Sequence, residues 1–125
     1  DQYQRAIRDY DEVIRLVPQY AKAYNNRGIA YGSLSQYQRA IQDFDEAIRL
    51  NPQHANTYNN RGLAYYMLDQ YQRAIRDYDE AIRLNPQEAK AYNSRGAAYQ
   101  SLGMTEMAER DFQKAKELES DPQSD

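Results

Sequence analysis

Cysteine and tryptophan are missing from this chain, histidine occurs once, and no apolar run approaches membrane-spanning length. Without cysteine there are no disulfides and no thiolate metal sites, although that absence does not fix the compartment; the cytoplasm is the expectation. The one histidine, His54, has no cysteine to partner it. No phosphate-cradling glycine loop, nucleophile elbow or histidine-rich metal spacing is present either. Neither catalysis nor any cofactor or metal is therefore expected within these 125 residues. Charge of one sign is also lacking. The net charge of −3 is small and mixed, which gives no encouragement to nucleic-acid or anionic-membrane binding. No signal-peptide pattern stands at residues 1–15, and 28% charged residues point to a soluble chain of one-domain size.

What the chain does have is tyrosine, thirteen against two phenylalanines, and repetition explains the number. Tyr24-Asn25-Asn26-Arg27-Gly28-Ile29-Ala30-Tyr31 returns 34 residues later as Tyr58-Asn59-Asn60-Arg61-Gly62-Leu63-Ala64-Tyr65. It returns again, weakened, as Tyr92-Asn93-Ser94-Arg95-Gly96-Ala97-Ala98-Tyr99. Residues 21–54 and 55–88 agree at 25 of 34 positions. A fixed period of this length marks an array of one supersecondary unit rather than a single globular core.

Within a unit the apolar spacing is helical in two stretches, one around Tyr58–Leu68 and one around Tyr71–Leu84. Asp69-Gln70 joins them, with Asp69 placed to cap the second helix. Leu84-Asn85-Pro86 ends it, because proline lacks a donor and forces the preceding residue out of helical geometry; Leu50-Asn51-Pro52 repeats the stop. Seven helices are expected near residues 2–16, 21–33, 37–50, 55–67, 71–84, 89–101 and 105–118. A mid-helix glycine costs about 1 kcal/mol relative to alanine. Its recurrence at Gly28, Gly62 and Gly96, with alanines at 6, 40, 74 and 108 and at 47, 81 and 115, marks places of close helix approach.

Tyr–x₃–Gly–x₂–Tyr followed by a second aromatic, Ala, Tyr/Phe, Ala and Pro at these distances resembles the tetratricopeptide repeat family. The resemblance implies an all-α, right-handed solenoid of antiparallel helix pairs. It divides the chain into 1–20, the second half of a unit; complete units at 21–54 and 55–88; a divergent terminal unit at 89–122; and a polar, disordered tail at 123–125. Departures are visible: tyrosine stands for the usual tryptophan, Arg27, Arg61 and Arg95 for a frequent leucine, and in the last unit Thr105 and Ser120 for an aromatic and proline. Asp1–Tyr10 matches Asp69–Tyr78 at every position, so the chain is expected to be a piece of a longer array that opens on a second helix.

Two charge series share the period. Arg27, Arg61 and Arg95 are expected to pair with members of the Asp9, Asp43, Asp77, Asp111 series, since a guanidinium beside a close helix contact needs a partner to offset desolvation. Asp11, Asp45 and Asp79 are expected to pair along their own helices with Arg15, Arg49 and Arg83.

Function is then expected on the inner surface, which the resemblance assigns to the first helix of each unit. The places it gives to ligands hold Lys22, Asn25, Asn26, Ile29, Gly32 and Ser33 in one unit; Asn56, Asn59, Asn60, Leu63, Tyr66 and Met67 in the next; and Lys90, Asn93, Ser94, Ala97, Gln100 and Ser101 in the third. Asparagine is a poor mid-helix residue, yet its amide donates and accepts at once and suits the backbone of an extended peptide. Asn26 and Asn60 resemble the asparagine ladder of the superhelical repeats in O-GlcNAc transferase, a likeness that breaks at Ser94. Asn25, Asn59 and Asn93 are expected to carry a peptide, Asn26 and Asn60 to support it, and Lys22 and Lys90 to favour acidic residues near its ends. Tyr66, Leu63 and Met67 are expected to give the apolar contact. The carboxylate clamp of chaperone cofactors would need Lys, Asn, Asn, Lys and Arg where this chain has Asn25, Ile29, Asn60, Lys90 and Ser94, so no clamp is expected.

The sequence thus points to a non-catalytic protein-interaction scaffold for an extended peptide or partner helix, with neither nucleic acid nor membrane as partner. Self-assembly is the first alternative, because Tyr3, Ala6, Ile7, Tyr10 and Ile14 are expected to lack their covering helix. A regulatory or substrate-presenting region of a larger enzyme or sensor is the second. RNA binding, as in the related family with a 35-residue period, is disfavoured by the strict 34-residue period and the acidic balance.

Overall fold

The computed structural model describes residues 1–121 and consists of seven α-helices. These are α1 (Gln2–Leu16), α2 (Ala21–Ser33), α3 (Tyr37–Leu50), α4 (Ala55–Met67), α5 (Tyr71–Leu84), α6 (Ala89–Ser101) and α7 (Thr105–Ser120). Among the described residues there is no strand. The helix bounds are those expected from the periodicity, except that α7 runs on to Ser120, where serine replaces the proline that stops α3 and α5. The proposed tail at 123–125 lies outside the described residues.

Each helix packs on its neighbours in the chain, and α2, α4 and α6 also touch one another in turn. The second helices α1, α3, α5 and α7 do not. The first helices therefore form the closer-spaced, inner layer of a curved stack, and the second helices form its outer layer.

Local chemistry accounts for each corner of a unit. Gln4 donates its backbone N–H to Asp1 Oδ1 at 2.9 Å, and the Gln4 side chain reaches back, forming a capping box at the start of α1. The turn inside each unit is a Schellman closure in which Gln36 N–H donates to Tyr31 O, Gln70 to Tyr65 O and Met104 to Tyr99 O, each at 2.9 Å. It requires a left-handed residue, and Ser35 (φ 60°), Asp69 (φ 61°) and Gly103 (φ 77°) occupy it. Asp69 is thus spent on the turn and does not cap α5 as expected; its carboxylate instead accepts the Tyr71 hydroxyl at 3.0 Å. Between units, Tyr24, Tyr58 and Tyr92 donate their hydroxyls to the carbonyls of Pro18, Pro52 and Pro86 at 3.0–3.1 Å. A tyrosine in the tryptophan place thereby fastens the preceding loop.

The glycine series has a steric reason. A Cβ at Gly28, Gly62 or Gly96 would lie 2.6–2.7 Å from a ring carbon of Phe44, Tyr78 or Phe112. These rings fill the pair interface, flanked by alanines 40, 74 and 108 and 47, 81 and 115, all buried. In α1 the same places are less covered: Ala6 and Tyr10 are only half-buried, and Tyr3 is 38% exposed. Ile7, expected to lack cover, is buried, and Ile14 is half-buried.

Candidate functional site

The arginine series is locked into the wall of the stack. Arg27 donates through Nε and Nη2 to the two oxygens of Asp43 at 2.8 and 2.7 Å. Arg61 does the same to Asp77 and Arg95 to Asp111, as the shared period led us to expect. Each arginine then uses Nη1 on a second carboxylate, Asp11, Asp45 or Asp79, at 2.9 Å. This displaces the helix-internal pairs expected for those aspartates. Arg15, Arg49 and Arg83 turn instead to Glu12, Glu46 and Glu80, one turn back.

The guanidinium of each locked arginine also sits 5.7–5.8 Å from the ring centroid of Tyr24, Tyr58 or Tyr92. The bonds from Asp43 and Asp111 hold Arg27 and Arg95 above the ordinary arginine value. At Arg61 burial is the largest single influence and lowers the value, but the bonds and charges of Asp77 and Asp45 together outweigh it and hold the guanidinium above its ordinary value. Asp77, 5% exposed, is pushed above its ordinary value by burial, with Arg61 opposing. These cations are occupied and do not form a ligand-facing basic strip.

The inner layer holds a groove of ≈ 800 Å³ between α2 and α4, with α6 at its far rim. Of the residues assigned to a ligand, Lys22, Asn25, Asn26, Asn59, Asn60 and Lys90 line it together. Asn25 is buried and its Oδ1 accepts from Asn60 Nδ2 at 3.1 Å, so the asparagines of adjacent units are linked across the groove floor. The link fails one step on. Ser94 stands where a third asparagine would, and Asn59 Oδ1 is buried without a hydrogen-bond partner. Asn93 is exposed and borders a separate hollow against α7, so it does not join Asn25 and Asn59. His54 belongs to the rim and its Nδ1 lies 3.0 Å from Thr57 Oγ1. Among the described residues no acidic or imidazole cluster is arranged to hold a metal.

Next to this groove opens a smaller apolar pocket of ≈ 280 Å³ between α2, α3 and α4. Ile29 and Asn60 border both spaces, and Leu63 and Met67 belong to the pocket. Ile29, Leu63 and Met67 are each close to half exposed. The exposed apolar surface is therefore shared between two units, not confined to the middle one. Tyr66 does not line it. Its ring meets Tyr71 edge-on, with centroids 5.3 Å apart, and its hydroxyl is 3.5 Å from Ser101 Oγ. Ile29 and Gly32 stand among the places the family resemblance gives to ligands, but not among those expected to be the apolar ones; the signal for that was the pair Gly32-Ser33 standing where the next unit has Tyr66-Met67.

A curved stack of helix pairs with a polar inner groove and an adjoining apolar pocket defines a helical-repeat interaction scaffold. The family model for the tetratricopeptide repeat matches residues 21–54, 55–88 and 89–122, and a second, described as TPR repeat, matches 1–35. The chain belongs to the tetratricopeptide repeat family. No curated protein matches its sequence. Among solved structures it is similar to a crystal structure of MamA, with 32% identity and a TM-score of 0.89 over 94% of this chain and 68% of that one. A MamA structure from Desulfovibrio magneticus RS-1 aligns with 28% identity and a TM-score of 0.91, over 98% and 70% of the two chains. The second TPR of Spaghetti (RPAP3), bound to the HSP90 peptide SRMEEVD, aligns with 31% identity and a TM-score of 0.77, over 78% and 91%. Among the described residues no helix is long and apolar enough to cross a membrane.

Proposed function

We propose that this chain is a non-catalytic protein-interaction scaffold that holds an extended peptide in the groove between α2 and α4. The observation that carries the reading is the row of asparagine amides along the inner layer between Lys22 and Lys90, in which Asn26 and Asn60 are partly exposed to the groove and the buried Asn25 and Asn59 back them. Amides pair with the repeating N–H and C=O of a backbone without selecting side chains, and the flanking ammonium groups favour acidic residues at the ends. A neighbour of the same fold bound to the acidic peptide SRMEEVD supports the peptide class, although Asn25, Ile29 and Ser94 depart from a carboxylate clamp and only Asn60 and Lys90 agree with it. Asn93, set apart near α7, plays at most an outer role. Replacing Asn59 and Asn60 by alanine should weaken peptide binding and leave helicity intact, because alanine is the better helix former. Unchanged affinity in a titration would remove the amides from the site.

Self-association through α1 is the second reading, and Asp9 favours it. Asp43, Asp77 and Asp111 each hold a guanidinium, whereas Asp9, at the same place in its unit, pairs with none among the described residues. With Tyr3 exposed and Tyr10 half-buried, this face matches the first-helix pattern of an arginine followed by glycine. A second copy could supply that pattern by exchanging a helix pair. Light scattering over a concentration series should show a mass increase that the double variant Tyr3→Glu, Asp9→Lys abolishes. A constant monomer mass at millimolar protein would exclude it.

A further inference from the structure

The geometry points to a phenylalanine-type ring, carried by an acidic extended peptide, as the occupant of the apolar pocket beside Gly32. This rests on the peptide-groove reading and names what that groove selects.

The molecule itself displays the occupant one unit further on. The pocket floor is made by Ala40, Phe44 and Ala64, with Tyr37 at its side. The equivalent surface 34 residues later is Ala74, Tyr78 and Ala98, with Tyr71, and the Tyr66 ring packs against it. Gly32 takes the place of Tyr66, and a Cβ built on Gly32 would meet nothing within 4 Å. The pocket is thus the seat of an aromatic ring whose own side chain is absent, with Tyr37 standing where Tyr71 receives Tyr66 edge-on at 66°. At ≈ 280 Å³ it exceeds the roughly 150 Å³ apolar cavity that suffices for benzene.

The far end of the seat sets the preference. Tyr66 directs its hydroxyl toward Ser101, but the place of Ser101 in the earlier pocket belongs to Met67. A thioether suits a ring edge and gives a phenol hydroxyl little to bond, so phenylalanine is favoured over tyrosine. Ile29 and Asn60 border both pocket and groove, which places the ring next to backbone held by the amides. Lys22 and Lys90 line the adjoining groove rather than the pocket, so acidic residues of the same peptide fall on the groove side of the ring.

The test is a titration of the full chain, methyl-labelled with carbon-13, with N-acetylphenylalaninamide, using the tyrosine and alanine amides for comparison. Saturable shifts of the Ile29, Leu63 and Met67 methyls are expected, strongest for phenylalanine and absent for alanine. Gly32→Tyr should seat its own ring, keep or raise the helical melting temperature, and abolish the shifts. No saturable shift, or an equal one in Gly32→Tyr, would overturn the proposal. Selection from a random heptapeptide library should then yield sequences with one fixed phenylalanine. Their affinity should fall at least about tenfold in Gly32→Tyr, the scale of losing a buried apolar side chain. Peptides that tolerate Gly32→Tyr but not the Asn59→Ala, Asn60→Ala pair would overturn the pocket and leave the groove; peptides that tolerate both would overturn the two together.

Discussion

Asn59 shows how a single substitution between units is felt by its neighbour. Asn25 Oδ1 receives the Asn60 amide, while Asn59 Oδ1, in a residue only 6% exposed, receives nothing, since Ser94 stands where the next amide would be and engages the Tyr78 hydroxyl instead. A buried acceptor left unmade costs roughly 1–3 kcal/mol. Ser94→Asn combined with Tyr78→Phe, which copies Asn60 and Phe44 of the preceding unit and leaves no hydroxyl without Ser94, should therefore stabilise the chain by about 1 kcal/mol after the cost of ordering a longer side chain, read as a higher urea midpoint at unchanged slope. A lower midpoint would mean that the amide cannot reach. At this scale the sequence was informative where two series shared a period and less so where one residue had two suitors. The pairing of Arg61 with Asp77 followed from the common spacing. Its second bond, to Asp45, was hidden because Asp45 also stands four residues before Arg49 on the same helix, and sequence distance favours the local partner.

At the scale of the helix, the turn within each unit is where chain geometry and residue type disagree. Gly103 adopts its left-handed conformation without penalty, but Ser35 and Asp69 pay about 1 kcal/mol or more for theirs. Ser35→Gly should raise stability by about 0.5–1 kcal/mol, and Asp69→Gly by less, because the latter forfeits the bond from Tyr71. Thermal melts of the two variants check both the sign and the order. Aspartate before a helix usually caps it, and the side-chain pattern of Asp69 carries that signal; its left-handed φ of 61°, which the pattern does not report, assigns it to the turn.

The outer helices also carry a pH response. Bonds from Arg15, Arg49 and Arg83 hold Glu12, Glu46 and Glu80 below the ordinary carboxylate value of about 4.5. Groups depressed on folding contribute stability that is complete above that value and is lost as pH falls through their folded values. Asp77 acts in the opposite sense: pushed up by burial, it contributes below its unfolded value and loses that contribution as pH rises through the folded one. The three glutamates are expected to dominate in number, so the melting temperature should decline below about pH 4.5, and the triple Glu→Gln variant should decline less. Equal slopes would assign the acid response elsewhere.

Across the whole molecule, the order of seven helices and their bounds followed from a repeat that states the same instruction several times, so that a local ambiguity in one unit is resolved by its copies. The groove asparagines were legible for the same reason. The apolar pocket was not, because it arises from a difference between units, Gly32 against Tyr66, rather than from what they share.

The double grip of each arginine has a consequence for how the array comes apart. Asp11 and Asp43 lie on α1 and α3, outer helices that do not touch, and Arg27 from α2 ties them together; Arg61 does so for α3 and α5, and Arg95 for α5 and α7. In a linear array, stability divides into what each repeat contributes alone and what each junction adds, and the junction terms decide whether unfolding is concerted. The guanidinium is such a junction, placed so that melting one unit strips charge compensation from the next. Arg61→Ala should cost about 3–5 kcal/mol, since Asp77 stays buried without its cation. It should also split one transition into two, detected as a mismatch between tyrosine fluorescence and helical dichroism during denaturation. A single coincident transition in that variant would show that apolar contact alone keeps the units in step.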